Sequence, residues 1–286
     1  MRLARIRRGP GERIELAALV EGEELVSLAS VDGCADADPV AALAELGVER
    51  LAEHTARLAG GERLAAAELV FEPPVATCTK ICCLALNYAD HAAESGLEVP
   101  PEPVLFFKPT TALIGHGAVV RPPARTRHVE HEVELAVVIG HVAHGLTEEN
   151  WQDAVAGYTV VNDMTARDLQ LANIARNQPW DQFKGFDTFA PLGPYLVTRD
   201  EVPDPQNLEL TLTVGGEVRQ RANTKQMVFP LPRLLADLSD GMTLLPGDVI
   251  ATGTMAGIAP VADGDVMHAT VAGVGTLTNP VRWQST

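Results

Sequence analysis

One short segment constrains this chain more than any other: Glu130-His131-Glu132-Val133-Glu134-Leu135-Ala136-Val137-Val138-Ile139-Gly140. Its run of β-branched and aliphatic residues predicts a strand over 132–140. Side chains two apart on a strand share a face. Glu130, Glu132 and Glu134 therefore line one side, with Ala136 and Val138 continuing it, while Val133, Leu135, Val137 and Ile139 cover the other. Carboxylates leading straight into an apolar strand are costly on a dry face, and at this spacing they repel one another. Two environments resolve the conflict. One is a solvent-exposed edge carrying ordinary surface glutamates. The other is a hard cation, since Mg²⁺, Mn²⁺ and Ca²⁺ all take oxygen ligands.

A third carboxylate shifts the balance toward the cation. Gly157-Tyr158-Thr159-Val160-Val161-Asn162-Asp163 reads as an apolar strand ending in a polar pair. Asp163 stands where that strand meets the next loop, a common place for site residues, and Thr165, Arg167 and Asp168 follow at once. Three carboxylates plus waters make an octahedral site with open positions for a substrate.

Composition excludes several other roles. The 286 residues are 46% hydrophobic, 21% charged and only 5% aromatic. That suits one large domain, or one with a small appendage, around a mainly aliphatic core. A formal charge of −16 argues against a nucleic-acid or anionic-membrane partner, because phosphates need clustered Lys and Arg. The basic cluster Arg2, Arg5, Arg7 and Arg8 is short and reads as a solvated strand. Cys34, Cys78, Cys82 and Cys83 match no zinc spacing and read as reduced thiols of a cytoplasmic protein. The charged start of the chain lacks a secretory apolar segment, and no stretch approaches the ~20 apolar residues of a membrane helix.

The texture changes near Pro73, which divides a small N-terminal domain (1–72) from a strand-rich remainder (73–286). In the first part, strands are expected near 1–6, 13–20 and 24–28. A helix follows, with Asp38 as N-cap, Pro39 at its first position, and an end at Gly60-Gly61. Beyond Pro73, strands are expected near 80–86, 103–107, 157–162, 195–198, 208–214 and 249–252. Helices are expected over 148–156 after Thr147, and over 232–239 before Gly241. Strands and helices do not alternate, which excludes a doubly wound sheet. The fold class is α+β, mainly β.

Several segments together resemble the fumarylacetoacetate hydrolase superfamily. They are Leu86-Asn87-Tyr88-Ala89-Asp90-His91-Ala92-Ala93-Glu94, Pro103-Val104-Leu105-Phe106-Phe107-Lys108-Pro109, and Glu132-x-Glu134 before an apolar strand. Next come Gly157-Tyr158 with Asn162-Asp163-x-x-x-Arg167-Asp168, then Lys184-Gly185-Phe186-Asp187-Thr188-Phe189-Ala190-Pro191-Leu192-Gly193-Pro194. Leu245-Pro246-Gly247-Asp248-Val249-Ile250 and Thr252-Gly253-Thr254 complete the series. The resemblance runs from about Lys80 to Asn279, and it is the order of the pieces that makes chance improbable. It implies a mixed β-sandwich roll, homodimeric, with a smaller N-terminal β domain. It implies Glu132, Glu134 and Asp163 as ligands of Mg²⁺ or Mn²⁺ (Ca²⁺ being a third candidate), His91 and Glu94 as an acid–base dyad, and Lys184 and Thr254 against a small anionic keto-acid substrate. Tyr88 and Gln170 complete the substrate-binding candidates. The pattern departs from the family at Met255, where a proline is usual, at His131, where a tyrosine is usual, and at Gly215-Gly216, where an asparagine–glycine turn is usual. Met255 lies beside Thr254, so that departure could alter the pocket loop.

Each residue type suits its role. His91 and Glu94 are three apart, so on a short helix capped by Asp90 and stopped near Gly96 they share a face. A carboxylate beside an imidazole stabilises the charged ring and orients it for general-base work. Lys184 can hold a carboxylate or an oxyanion. Arg167 is expected to pair with Asp168 or a neighbouring carboxylate, and Lys108 is open between such a role and substrate contact. Gln170, Gln178 and Trp180, read as a loop before Lys184, either contact the far end of the substrate or serve as packing. The chemistry expected first is hydrolysis of a C–C bond in an acylpyruvate- or fumarylpyruvate-like β-diketo acid. Decarboxylation or isomerisation of a 2-keto or 2-hydroxy-dienoic diacid shares the same enolate chemistry, and a non-catalytic metal-binding scaffold would have no need of the dyad.

Overall fold

The computed structural model describes residues 1–284. The chain opens with β1 (Arg2–Arg7), β2 (Glu15–Glu21) and β3 (Glu24–Ser27), then helix α1 (Pro39–Leu58), β4 (Leu64–Ala65) and β5 (Val70–Glu72). It continues through β6 (Ile81–Ala85), α2 (Ala89–Glu94), β7 (Val104–Lys108), β8 (Leu113–Ile114), β9 (Val129–Glu130), β10 (Val133–Ile139), β11 (Val155–Asn162) and β12 (Thr165–Ala166). Helix α3 (Arg167–Ile174) leads to β13 (Ala190–Thr198), β14 (Glu209–Val214) and β15 (Glu217–Asn223). The last elements are α4 (Leu231–Gly241), β16 (Val249–Ala251), β17 (Val266–Val271) and β18 (Gly275–Pro280).

A long sheet runs in the order β4-β3-β2-β1-β13-β11-β10-β16-β6-β7, with β5 and β8 pairing on its flanks. It is antiparallel except where β16 meets β6 and β8 meets β13. A second sheet, β15-β14-β17-β18, lies across it, and β9 and β12 form a separate pair. This is the mixed, mainly β architecture expected. At its centre β10 is buried along its whole length. Val133, Leu135, Val137 and Ile139 pack with Leu210, Leu212, Met267, Ala269 and Leu277 of the second sheet. Ala136 and Val138 face the opposite way, with Ile81, Cys83, Leu192 and Val40 of α1. The two faces divide as the sequence alternation predicts, and each fully buried Val, Leu or Ile contributes about 2 kcal/mol.

The first 72 residues have apolar clusters of their own. They are nevertheless stitched into the main sheet, because Arg2 and Leu3 of β1 pair with Val197 and Leu196 of β13. Helix α1 begins as expected. Asp38 accepts from the N–H groups of Val40 (2.9 Å) and Ala41 (3.3 Å), and Pro39 occupies the first turn. The kink at Gly47, whose φ of 74° needs glycine, is not legible as periodicity. The helix expected over 148–156 is absent. Asn150 Oδ1 takes the Thr147 N–H (2.7 Å), only a 3₁₀ turn (Trp151–Ala154) forms, and Val155 onward joins β11. Strands β15, β17 and β18 and helix α3 were not expected. Among the described residues the four cysteines are all free, as expected, and no helix is long and apolar enough to cross a membrane.

One buried aspartate joins the loop before β6 to the turn before β16. Asp248, fully buried, accepts from the N–H groups of Thr79 (3.1 Å), Lys80 (3.1 Å) and Leu245 (2.8 Å) and from the Thr79 hydroxyl (2.6 Å), and it pairs with the Lys80 ammonium. Gly247 beside it has a φ of 88°, and a Cβ there would collide with the Thr77 carbonyl. Burial alone would raise the Asp248 pKa, but Lys80, Thr79 and the Leu245 N–H outweigh it and hold it below the usual aspartate range. A lowered folded-state pKa gives stability that is present above the unfolded value, about 4, and lost as pH falls through the folded one. Asp248→Asn is therefore expected to destabilise the protein by about 3 kcal/mol at pH 7, measured by urea unfolding. The gap from wild type should narrow below pH about 4, and a gap that stays constant would contradict this assignment.

Candidate active site

The strand expected to run through Glu130 and Glu132 is interrupted. Glu130 lies in β9, opposite Thr165 of β12, and β10 begins only at Val133. Between them the Glu132 N–H donates to Asn162 Oδ1 (2.9 Å), and the Asp163 N–H donates to the Glu132 carbonyl (2.8 Å). The break turns Glu132 toward the end of β11, where Val133 pairs with Asn162. As a result Glu132, Glu134 and Asp163 each present an oxygen within 4.8 Å of the other two, and all three are buried.

Three cations surround this cluster. Lys184 Nζ donates to Glu132 Oε2 (2.7 Å) and to Asp163 Oδ2 (2.7 Å). Lys108 Nζ pairs with Asp163 Oδ1 and donates to the Met164 carbonyl (3.1 Å). Arg167 grips Glu130 through Nε (2.6 Å), pairs with Glu132, and donates to Gln170 Oε1. Its pairing with a carboxylate was expected. Asp168 is not that partner, since it accepts from the Thr126 hydroxyl (2.5 Å) and the Arg127 N–H (2.9 Å).

Glu130, Glu132, Glu134 and Asp163 thus face three Lys and Arg side chains, Lys108, Lys184 and Arg167, with His128 also against Glu130 (2.7 Å), which leaves one carboxylate without a basic partner. Glu134 is that group. It accepts from the Gly253 N–H (2.7 Å), and no cationic side chain pairs with it among the described residues. Burial, together with the Asp163 and Glu132 charges, pushes its pKa well above the usual range. Burial opposes ionisation of Glu132 too, yet Lys184 and Arg167 prevail and hold its pKa low. An all-oxygen, buried donor set with an uncompensated negative charge fits a hard divalent cation.

On α2, His91 is buried, its Nδ1 lies 3.6 Å from Glu94 Oε2, and that nitrogen has no hydrogen-bond partner among the described residues. Glu94 also accepts from the Gly257 N–H at 3.0 and 3.1 Å, which ties α2 to the loop after β16. Asp90 is not the N-cap expected of it. Tyr88 holds that position, and Asp90 Oδ1 instead accepts from the His91 N–H (2.8 Å) within the first turn.

A cavity of about 790 Å³ brings the parts together. Its wall includes His91, Glu94, Glu132, Lys184, Thr254 and Gln170. Gln170 lies on α3, not in a loop. Tyr88 corrects the sequence expectation: it is packed in the core away from this wall, and its hydroxyl has no partner among the described residues. Met255 is likewise fully buried in the core, so the departure there sits behind the pocket loop. The other two departures also find places. Gly215 and Gly216 form the tight turn between β14 and β15, with φ of 59° and 84°, as a hairpin of this type requires. His131 Nδ1 hydrogen-bonds Gln220 Oε1 (3.0 Å).

Sequence reasoning missed Gln220. From β15 its Oε1 also accepts from the Val133 N–H (3.2 Å), and its Nε2 donates to Thr254 Oγ1 (2.9 Å) and the Met255 carbonyl (3.0 Å). Thr254 in turn donates to the Val133 carbonyl (2.9 Å). One buried amide therefore fixes the pocket threonine against β10. In the sequence Gln220 stands between Arg219 and Arg221 in a mainly polar segment, and nothing there marks it as buried.

The comparisons with known proteins decide the family. Residues 80–282 match the family model described as fumarylacetoacetate (FAA) hydrolase C-terminal. The chain belongs to this family. An uncharacterised protein of Pyrococcus abyssi is 50% identical over 203 residues, 71% of this chain and 90% of that one. The structure of a maleylpyruvate hydrolase from Sphingobium sp. SYK-6, in complex with manganese(II) and pyruvate, matches with a TM-score of 0.83 at 34% identity and covers both chains fully. A 2-hydroxyhepta-2,4-diene-1,7-dioate isomerase from Mycobacterium marinum matches with a TM-score of 0.78 at 32% identity, again over both whole chains. The family enzymes similar to this chain thus include hydrolases and isomerases.

The excess charge at Glu134 generates a test. A carboxyl whose folded-state pKa is raised makes the metal-free protein less stable as pH rises above the ordinary carboxylate range, and a cation that displaces its proton removes that penalty. Stripping with chelator and restoring Mn²⁺ or Mg²⁺ is expected to raise Tm by about 5 °C at saturating cation, and by more at pH 8 than at pH 6. Asp163→Asn should abolish the shift. A shift of equal size at both pH values, or one retained in that variant, would contradict the site.

Proposed function

We propose that this chain is a divalent-metal-dependent hydrolase that cleaves the C–C bond of a small acylpyruvate-type β-diketo acid. The observation that carries the reading is that Glu132, one member of the carboxylate cluster, shares a cavity wall with the buried His91 and its partner Glu94. A metal-binding scaffold would need only the cluster. The manganese and pyruvate held by the similar maleylpyruvate hydrolase agree with a keto-acid fragment at such a cluster.

Glu132, Glu134 and Asp163 would hold Mg²⁺ or Mn²⁺, which when bound acts as a Lewis acid toward the keto-acid oxygens. The protein's own groups do the rest. His91, backed by Glu94 at 3.6 Å, takes a proton from water as the hydroxide adds to the distal carbonyl carbon. The C–C bond on the pyruvate side of that carbon then breaks, its electron pair passes into the pyruvate enolate, and the proton returns to the enolate carbon. The products are a carboxylic acid and pyruvate. Lys184 uses two N–H donors on Glu132 and Asp163, which leaves the third for an anionic oxygen of the substrate.

A second reading, isomerisation of a dienoic diacid, draws on the likeness to the Mycobacterium marinum isomerase. It uses the same His91 proton transfer without attacking water. Following the ultraviolet enol band of acylpyruvates with metal-stripped and metal-restored protein tests both. Hydrolysis predicts cation-dependent loss of the band with stoichiometric pyruvate. His91→Ala should lower turnover by roughly 100-fold or more while keeping the cation-dependent Tm shift. Product lacking C–C cleavage would favour the isomerase, and turnover undiminished in His91→Ala would exclude the dyad from the chemistry.

A further inference from the structure

The cavity runs from a buried carboxylate end to an exposed apolar rim. Glu132 and Lys184 are buried, with Arg167 paired to Glu132 beside them, whereas Leu97, Val104, Leu171 and Ile174 are exposed. Phe106 stands against the carboxylate end, its ring 5.0 Å from the Lys184 ammonium and 5.2 Å from the Trp180 ring. Asn177 and Gln178, also on the wall, are uncharged. The two cations on the wall stand at the carboxylate end and are engaged, Lys184 by Glu132 and Asp163 and Arg167 by Glu130, Glu132 and Gln170. The other ionisable groups on the wall are Glu94, with His91 beside it at 3.6 Å, and Glu130, held by Arg167.

Resting on the keto-acid reading above, we propose that this cavity selects a substrate whose far end is an uncharged apolar acyl group, alkyl or aryl, rather than a second carboxylate. With Lys184 turned to the keto-acid end, a distal carboxylate would leave water for a rim whose lining residues Leu97, Val104, Leu171 and Ile174 carry no cation, which is unfavourable without a partner charge. An apolar tail gains on the same wall. Leu97 (53% exposed), Leu171 (55%), Ile174 (44%) and Val104 (36%) are large aliphatic side chains open at the mouth, and each methylene they cover tightens binding about fourfold. The family likeness includes an isomerase named for a dioate, so the preference is a property of this chain's own wall.

A matched pair of 2-keto acids that cannot be hydrolysed tests this independently of turnover. Calorimetry with the Mn²⁺-loaded protein compares pyruvate, 2-oxohexanoate and 2-oxohexanedioate, the last two having equal chain length and differing in the terminal methyl or carboxylate. The expected result is that 2-oxohexanoate binds at least tenfold tighter than both of the others. Ile174→Arg, at a position exposed enough to leave folding intact, should reverse the order of the two six-carbon acids, and Leu171→Ala should weaken 2-oxohexanoate while leaving pyruvate unchanged. Equal or tighter binding of 2-oxohexanedioate by the wild-type protein overturns the proposal, as does a failure of 2-oxohexanoate to improve on pyruvate. If pyruvate itself does not bind, the keto-acid reading fails and this proposal with it.

Discussion

Four carboxylates buried within one small region face three cationic side chains, and much of the surrounding structure is arranged around that imbalance. Lys108, Lys184 and Arg167 neutralise Asp163, Glu132 and Glu130 at hydrogen-bonding distance, and Glu134 is left to a single backbone N–H. A dry interior would normally force such a group to take up a proton. A divalent ion would supply the missing positive charge and accept oxygen donors at the same time, which is the ground for proposing a cation site here rather than a structural ion-pair network.

Such an arrangement requires rigid supports, and the fold provides them at the centre of its long sheet. β10 lies between β11 and β16, with a second sheet over one face and α1 with β6 over the other, so the backbone carrying Glu134 is held on every side. The register of β10 with β11 brings Asp163 beside Glu132. The loop after β16 supplies Gly253 to Glu134, Thr254 to the cavity and Gly257 to Glu94, and Gln220 locks that loop to β10 from the second sheet. His91 and Glu94 share a cavity wall with Glu132, about 40 residues further along the chain, and the same loop ties α2 to β10 through Gly257 and Gly253.

Features set by near neighbours in the chain were legible in the sequence. The i, i+2 alternation separated Glu134, Ala136 and Val138 from Val133, Leu135, Val137 and Ile139. The Asp38-Pro39 pair announced the start of α1, and the spacing of His91 and Glu94 put them on one face. The strand end at Asn162-Asp163 offered the third carboxylate, and the resemblance added Lys184 and Thr254. What escaped depends on partners distant in sequence. Lys108 pairs with Asp163 and Gln220 with Thr254 only through tertiary contact. The break at His131-Glu132 is imposed by the Asn162 side chain, and the N-terminal strands join the main sheet through β13. Thr147 promised a helix that Asn150 and the pairing of β11 override. Tyr88 looked like a substrate contact from its place in the motif, but α2 turns it into the core.

The central claim is that Glu132, Glu134 and Asp163 together hold one divalent ion. Anomalous diffraction from crystals grown with Mn²⁺ tests it most directly. The account predicts one strong manganese peak bounded by oxygens of these three residues, with Lys184 still on Glu132 and Asp163. Manganese found elsewhere, or none at this cluster while Glu134 keeps only its Gly253 hydrogen bond, would contradict it.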